Sequence, residues 1–165
     1  MTMATGGVWP EPVERVSSVL RAAAVDARIE EFPVGTPTAR EAARAIGCDL
    51  SQIVKSLVLV CDGAFVLALV PGDARADEHA VAAVLSVEHV RVARAGEVLQ
   101  ATGFEPGGVA PFPQRAITQT LIDRSLFRHA LVWIGAGTAR HMASLAPAEL
   151  QRLTGARPVD LLSHG

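Results

Sequence analysis

A chain of 165 residues, half of them hydrophobic and with a mean hydropathy of +0.31, can bury one substantial core, and 19% charged residues excludes a disordered polyelectrolyte. The net charge of −2 excludes a protein that coats DNA or RNA through a broad basic surface, because such binding neutralises many phosphates, but it leaves room for contact with one RNA end. No apolar run reaches the roughly 18 to 20 residues of a membrane span, and MTMATGGVWPEP lacks the pattern of a signal peptide, so the expected location is the cytoplasm.

Residues 1–10 read as a flexible leader and residues 11–165 as one domain. From Glu11 to Ala27, apolar residues recur at three- and four-residue steps and predict an amphipathic helix. Ile29 to Val34 reads as a short strand, with Pro33 placing it at an edge or in an irregular position. Thr38 and Glu41 have the spacing of a capping box at the start of a second helix that Gly47 closes. Val54 to Cys61 and Ala64 to Val70 are apolar runs joined by Asp62-Gly63, the signature of a tight hairpin, here buried on both faces at the centre of a sheet.

Asp77 to Leu85 predicts a helix, Val87 to Val92 a strand, and Gly96 to Ala101 a helix stopped at Gly103. A loop from Thr102 to Pro113 with three glycines and three prolines follows. Gln119 to Asp123 and Ala130 to Ile134 read as strands, Met142 to Leu145 as a further short strand, and Pro147 to Leu153 as a last helix with proline in its first turn. Alternating strands and helices without repeat or linker predict a single α/β domain around a mixed sheet.

Few residues offer chemistry. Lys55 in "QIVKSLVL" is the only lysine; the other fourteen basic side chains are arginines. Its neighbours are apolar, so it is either a snorkelling strand residue or an ammonium held in a pocket, as an anion anchor or as an amine of lowered pKa able to form a Schiff base. Gly107-Gly108-Val109-Ala110-Pro111 is either a structural turn or a loop whose main-chain N–H groups address a carbonyl oxygen. Gly135 and Gly137 end a strand, where small residues permit tight packing, and Asp123 has the position of a cap on a short helical turn. The five histidines are scattered without metal-ligand spacing and no nucleophile triad is evident; Cys48 and Cys61, thirteen apart, can pair in a disulfide but read first as reduced, unactivated thiols.

The segments TAREAARAIG, QIVKSLVLVCDG, VLALVPGD, TGFEPGGVAPF, LIDRSL and IGAG, in that order, resemble the YbaK/prolyl-tRNA synthetase-associated domain family, free-standing relatives of the editing domain inserted in bacterial prolyl-tRNA synthetases. The similarity runs from about Val13 to Leu161. It implies a compact α/β domain with a mixed, strongly curved central sheet flanked by helices. It also implies hydrolysis, in trans, of the ester joining a small amino acid such as Ala, Ser or Cys to a mischarged tRNA for proline.

By the same resemblance Lys55 is the hallmark functional residue, with Gly107 and Gly108 in the catalytic loop. Val109, Pro111, Gly135, Gly137, Asp123 and Thr38 form the expected substrate-binding set. No metal or organic cofactor is implied. The partners implied are the 3′-terminal aminoacyl-adenosine of the tRNA acceptor end and, to supply affinity, prolyl-tRNA synthetase or an elongation factor. The competing reading is a non-catalytic module that binds a nucleotide or an aminoacyl-tRNA end on the same fold.

Overall fold

The computed structural model describes residues 9–33, 35 and 38–163. Residues 1–8 of the expected leader, and Val34 of the expected first strand, lie outside the described residues.

Helix α1 (Glu11–Ala22) begins after Pro10, with Pro12 and two glutamates in its first turn, and buries Val13, Val16 and Leu20 completely. The sequence extends this helix to Ala27, but Ala24 turns into the left-handed region (φ 53°) and the chain leaves. The departure lets Val25 and Ala27 reach the core and brings β1 (Arg28–Glu31) alongside β7 (His141–Leu145), with Ile29 opposite Ala143. Helix α2 (Ala39–Ile46) is capped as expected, Thr38 Oγ1 accepting the Glu41 N–H at 3.1 Å, and ends at Gly47 in the left-handed conformation.

The Asp62-Gly63 turn joins β2 (Val54–Cys61) to β3 (Ala64–Pro71) with both turn residues at positive φ (47° and 85°), the two-residue hairpin the dipeptide predicts. Helix α3 (Glu78–Leu85) leads to β4 (Val90–Val92). That strand starts three residues later than expected because the Glu88 and His89 N–H groups donate instead to the Asp62 carboxylate. Helix α4 (Ala95–Thr102), the glycine- and proline-rich loop, and β5 (Gln119–Asp123) follow. A 3₁₀ turn at Arg124–Arg128, β6 (Val132–Gly135), β7, α5 (Pro147–Thr154) and β8 (Arg157–Val159) complete the chain. Strand β8 escapes the sequence reading because it is short and carries Pro158, which a sheet edge tolerates.

The strands form a five-stranded mixed sheet of order β4-β2-β3-β5-β8 and a three-stranded antiparallel sheet of order β1-β7-β6. A single parallel bridge between Ile53 and Trp133 joins the two ladders. One core cluster lies between them, joining Val54 and Val58 of β2 to Val132 and Ile134 of β6 and to α1. The other face of the five-stranded sheet packs Leu59, Val66, Val70 and Leu121 against Val81 of α3 and Leu161.

Candidate active site

The two ladders part immediately after the Ile53 bridge, and there a cavity of about 220 Å³ opens. Its walls come from separate elements: Thr38, Ala39 and Ala42 of α2, residues 53–57 at the start of β2, Gly107 and Val109 of the loop, Gly135 of β6, and Thr138, His141 and Met142 around the start of β7. Among the described residues that line it there is no carboxylate, and Lys55 and His141 are its titratable side chains.

Register explains why this part of β2 is available. Cys61 and Ala64 flank a two-residue turn and exchange both main-chain bonds, so in alternation Leu59, Leu57 and Lys55 bond to β3 while Val58 and Ser56 face away. The Val58 carbonyl accepts Ala93 N–H at 2.9 Å, but the β4 ladder ends at Leu59. The main-chain N–H and C=O of Ser56 therefore point into the gap between β4 and β6, where the cavity lies. Ser56 Oγ is also buried without a partner among the described residues.

Lys55 is half-buried, lines the cavity, and donates from Nζ to the Ala74 carbonyl. Burial holds its pKa below the ordinary lysine value, the Arg75 guanidinium lowers it further, and Asp73 works in the opposite direction. The ammonium is thus neither fully solvated nor paired with a carboxylate at hydrogen-bond distance.

The loop reaches the cavity because glycines let main chain meet main chain. A Cβ on Gly135 would lie 2.3 Å from the Val109 carbonyl oxygen, and one on Gly108 would lie 2.7 Å from Thr138 Cα. Gly107 and Val109 line the cavity. Gly108 does not; its N–H donates to the Glu105 carbonyl at 3.0 Å and stabilises the loop from within. Pro111 is buried behind the loop, its carbonyl accepting from Gln114, and Gly137 packs on the main chain of Pro12. Asp123 lies away from the cavity: its carboxylate accepts the Ser125 N–H and hydroxyl and the Leu161 N–H, capping the 3₁₀ turn and anchoring the C-terminal segment. The structure thus brings Lys55, Gly107, Val109, Gly135 and Thr38 together and leaves Gly108, Pro111, Gly137 and Asp123 as neighbours or supports.

His141 was not singled out by sequence. It is 3% exposed, its Nδ1 lies 2.6 Å from Thr138 Oγ1, and its Nε2 has no hydrogen-bond partner among the described residues. The Glu31 carboxylate stands 3.9 Å from Nε2, and Trp9, placed by sequence in the leader, packs edge-on at 5.6 Å. Burial lowers the imidazole pKa against the pull of Glu31, and Arg140 lowers it further, which favours the neutral ring. The sequence signal available was the alternation of β7, which turns His141 inward, but only the fold shows what it faces.

Cys48 and Cys61 carry free thiols whose pKa burial raises, which makes them poor nucleophiles. No helix among the described residues is long and apolar enough to cross a membrane. No cluster of three His, Cys, Asp or Glu side chains able to hold a metal is found among them either.

The fold is a mixed α/β domain whose small cavity is walled by one ammonium, a glycine-rich main-chain loop and an open strand edge. Residues 34–153 match the family model described as the aminoacyl-tRNA editing domain, and the chain belongs to that family. It is 33% identical over 127 residues to YwhH of Bacillus subtilis, a protein recorded as uncharacterized, covering 76% of this chain and 80% of that one.

It is also 31% identical over 142 residues to the proline–tRNA ligase of Xanthomonas oryzae pv. oryzae, covering 84% of this chain but 25% of the ligase. The chain therefore corresponds to about a quarter of such a ligase. A crystal structure provisionally described as a trans-editing enzyme for prolyl tRNA synthetase superposes with a TM-score of 0.88 at 34% identity, over 95% of this chain and 100% of that one.

Proposed function

We propose that this domain, acting in the cytoplasm, hydrolyses the aminoacyl ester of mischarged tRNA in trans, with tRNA for proline carrying Ala, Ser or Cys as substrate. The observation that carries this reading is the convergence of the Lys55 ammonium and the Gly107–Val109 main chain on one cavity of about 220 Å³. That volume falls below the roughly 300 to 1,000 Å³ of pockets that enclose a whole drug-sized ligand. It suits a small aminoacyl group, with the rest of the tRNA end outside.

An aminoacyl ester is already activated, so the site must chiefly position water and stabilise the charge growing on the carbonyl oxygen. Lys55 supplies positive charge. Gly107 and Val109 are the loop positions from which main-chain groups address the carbonyl, because the Gly108 N–H is committed to Glu105. Water is the nucleophile of the hydrolysis, activated by a hydroxyl of the terminal ribose, and no carboxylate is among the described lining residues. Prolyl-tRNA synthetase or an elongation factor supplies the tRNA affinity that a protein of net charge −2 lacks.

The test is a deacylation panel on tRNA for proline charged with Pro, Ala, Cys, Ser or Thr, using wild type, Lys55→Ala and Lys55→Arg. The expected result is clearance of small mischarged residues by wild type and loss in Lys55→Ala. Wild type that clears none of them, or a Lys55→Ala variant of equal activity, overturns the proposal.

A further inference from the structure

The turn that follows β3 carries a second cation against the site. The Ala74 carbonyl takes the Lys55 ammonium, and the next residue is Arg75. Its backbone is fixed, because the Arg75 carbonyl accepts the Ser163 N–H at 3.1 Å and Ala76 bridges Leu162. Gly72 at the start of the turn abuts α2, where a Cβ would lie 2.9 Å from that of Ala39, a residue of the cavity wall. The turn does not line the cavity but packs against two residues that do, Ala39 and Lys55, and so stands beside its rim.

Among the described residues, seven of the fourteen arginines form ion pairs with carboxylates. Arg75 is exposed and pairs with none among the described residues, although it stands close enough to Lys55 to depress that amine's pKa. At Lys55 the pull of Asp73 is weaker than the push of Arg75. Adjacent uncompensated cations repel, and an anion shared between them relieves that repulsion.

We propose that Arg75 is a substrate-positioning residue that, together with Lys55, holds the phosphodiester 5′ to the terminal adenosine of the tRNA. This rests on the deacylase reading: the aminoacyl group fills the cavity, the nucleotide lies outside it, and the first phosphate meets the rim. Guanidinium geometry suits phosphate, offering two parallel N–H donors where lysine offers a point charge.

The test compares wild type, Arg75→Ala, Arg75→Lys and Arg75→Glu on two substrates, mischarged tRNA and 3′-alanyl-adenosine, the latter without a phosphate. The expected result is a KM for tRNA raised about three- to tenfold in Arg75→Ala, more in Arg75→Glu and less in Arg75→Lys, with kcat little changed. The penalty is confined to the substrate that carries phosphate. Equal penalties on both substrates, or none on tRNA, overturn the assignment.

Adenosine 5′-monophosphate, adenosine and inorganic phosphate, titrated against wild type and Arg75→Ala, give a readout free of turnover. The monophosphate binds wild type more tightly than either of the others and loses that advantage in the variant. If it has no advantage in wild type, the inference falls. Wild type that turns over neither substrate defeats the deacylase reading, and these titrations still judge Arg75.

Discussion

The closest approach in the site is the one most open to test. In Gly135→Ala the new methyl group would sit 2.3 Å from the Val109 carbonyl oxygen, where ordinary contact begins near 3.4 Å. The obstruction is main chain, not the end of a flexible side chain, so the loop must retreat by about 1 Å or β6 must shift. Neither is free, because Gly135 pairs with Met142 in the β6–β7 ladder and Ala110 and Phe112 just beyond Val109 are buried in the core.

Overpacking of this kind costs about 1–3 kcal/mol, which in a chain of this length lowers Tm by roughly 3–10 °C. The larger effect is on chemistry: a displacement of about 1 Å in a positioning group costs on the order of 100-fold in rate. Thermal unfolding by circular dichroism and single-turnover deacylation of alanyl-tRNA measure the two effects separately. A folded Gly135→Ala protein with wild-type Tm and wild-type kcat would refute the claim that loop and strand end meet main chain to main chain, and with it the reason for glycine there.

Two further outcomes are expected. Asp123→Ala strands the Leu161 and Ser125 donors that its buried carboxylate accepts, so it lowers stability by about 3 kcal/mol, read as a lower urea midpoint at unchanged slope, with Asp123→Asn intermediate. A lowered Lys55 pKa means the ammonium is lost at lower pH than for an ordinary lysine, so kcat/KM, corrected for spontaneous ester hydrolysis, falls as pH rises through a range below 10.5. A profile flat to pH 10.5 would separate the ammonium from the chemistry.

What sequence revealed and what it hid divide along physical lines. The Asp62-Gly63 hairpin, the Thr38 cap and strand Gln119–Asp123 were legible because each is decided within a few residues by turn chemistry, capping or β-propensity. Helix α1 was overrun because the alanines from Ala22 to Ala27 keep helical periodicity, while burial of Val25 and Ala27 and pairing of β1 with β7 decide where it stops. At the site, Lys55 and Gly107 stood out by residue type and by the order of motifs. Ser56 and His141 did not, since an unpartnered buried atom exists only once distant strands meet. Asp123 looked available in one dimension and proves to be fully occupied in three.

The solitary lysine has a practical consequence. Apart from any N-terminal amine, Lys55 is the only primary amine in the chain, and its lowered pKa leaves more of it unprotonated near neutrality than an ordinary lysine would have. An acylating reagent at mildly alkaline pH therefore has one side-chain target, at the mouth of the cavity. The label located at Lys55 by peptide mass spectrometry would count sites left open, and its loss on adding a ligand would count sites filled, without an engineered label.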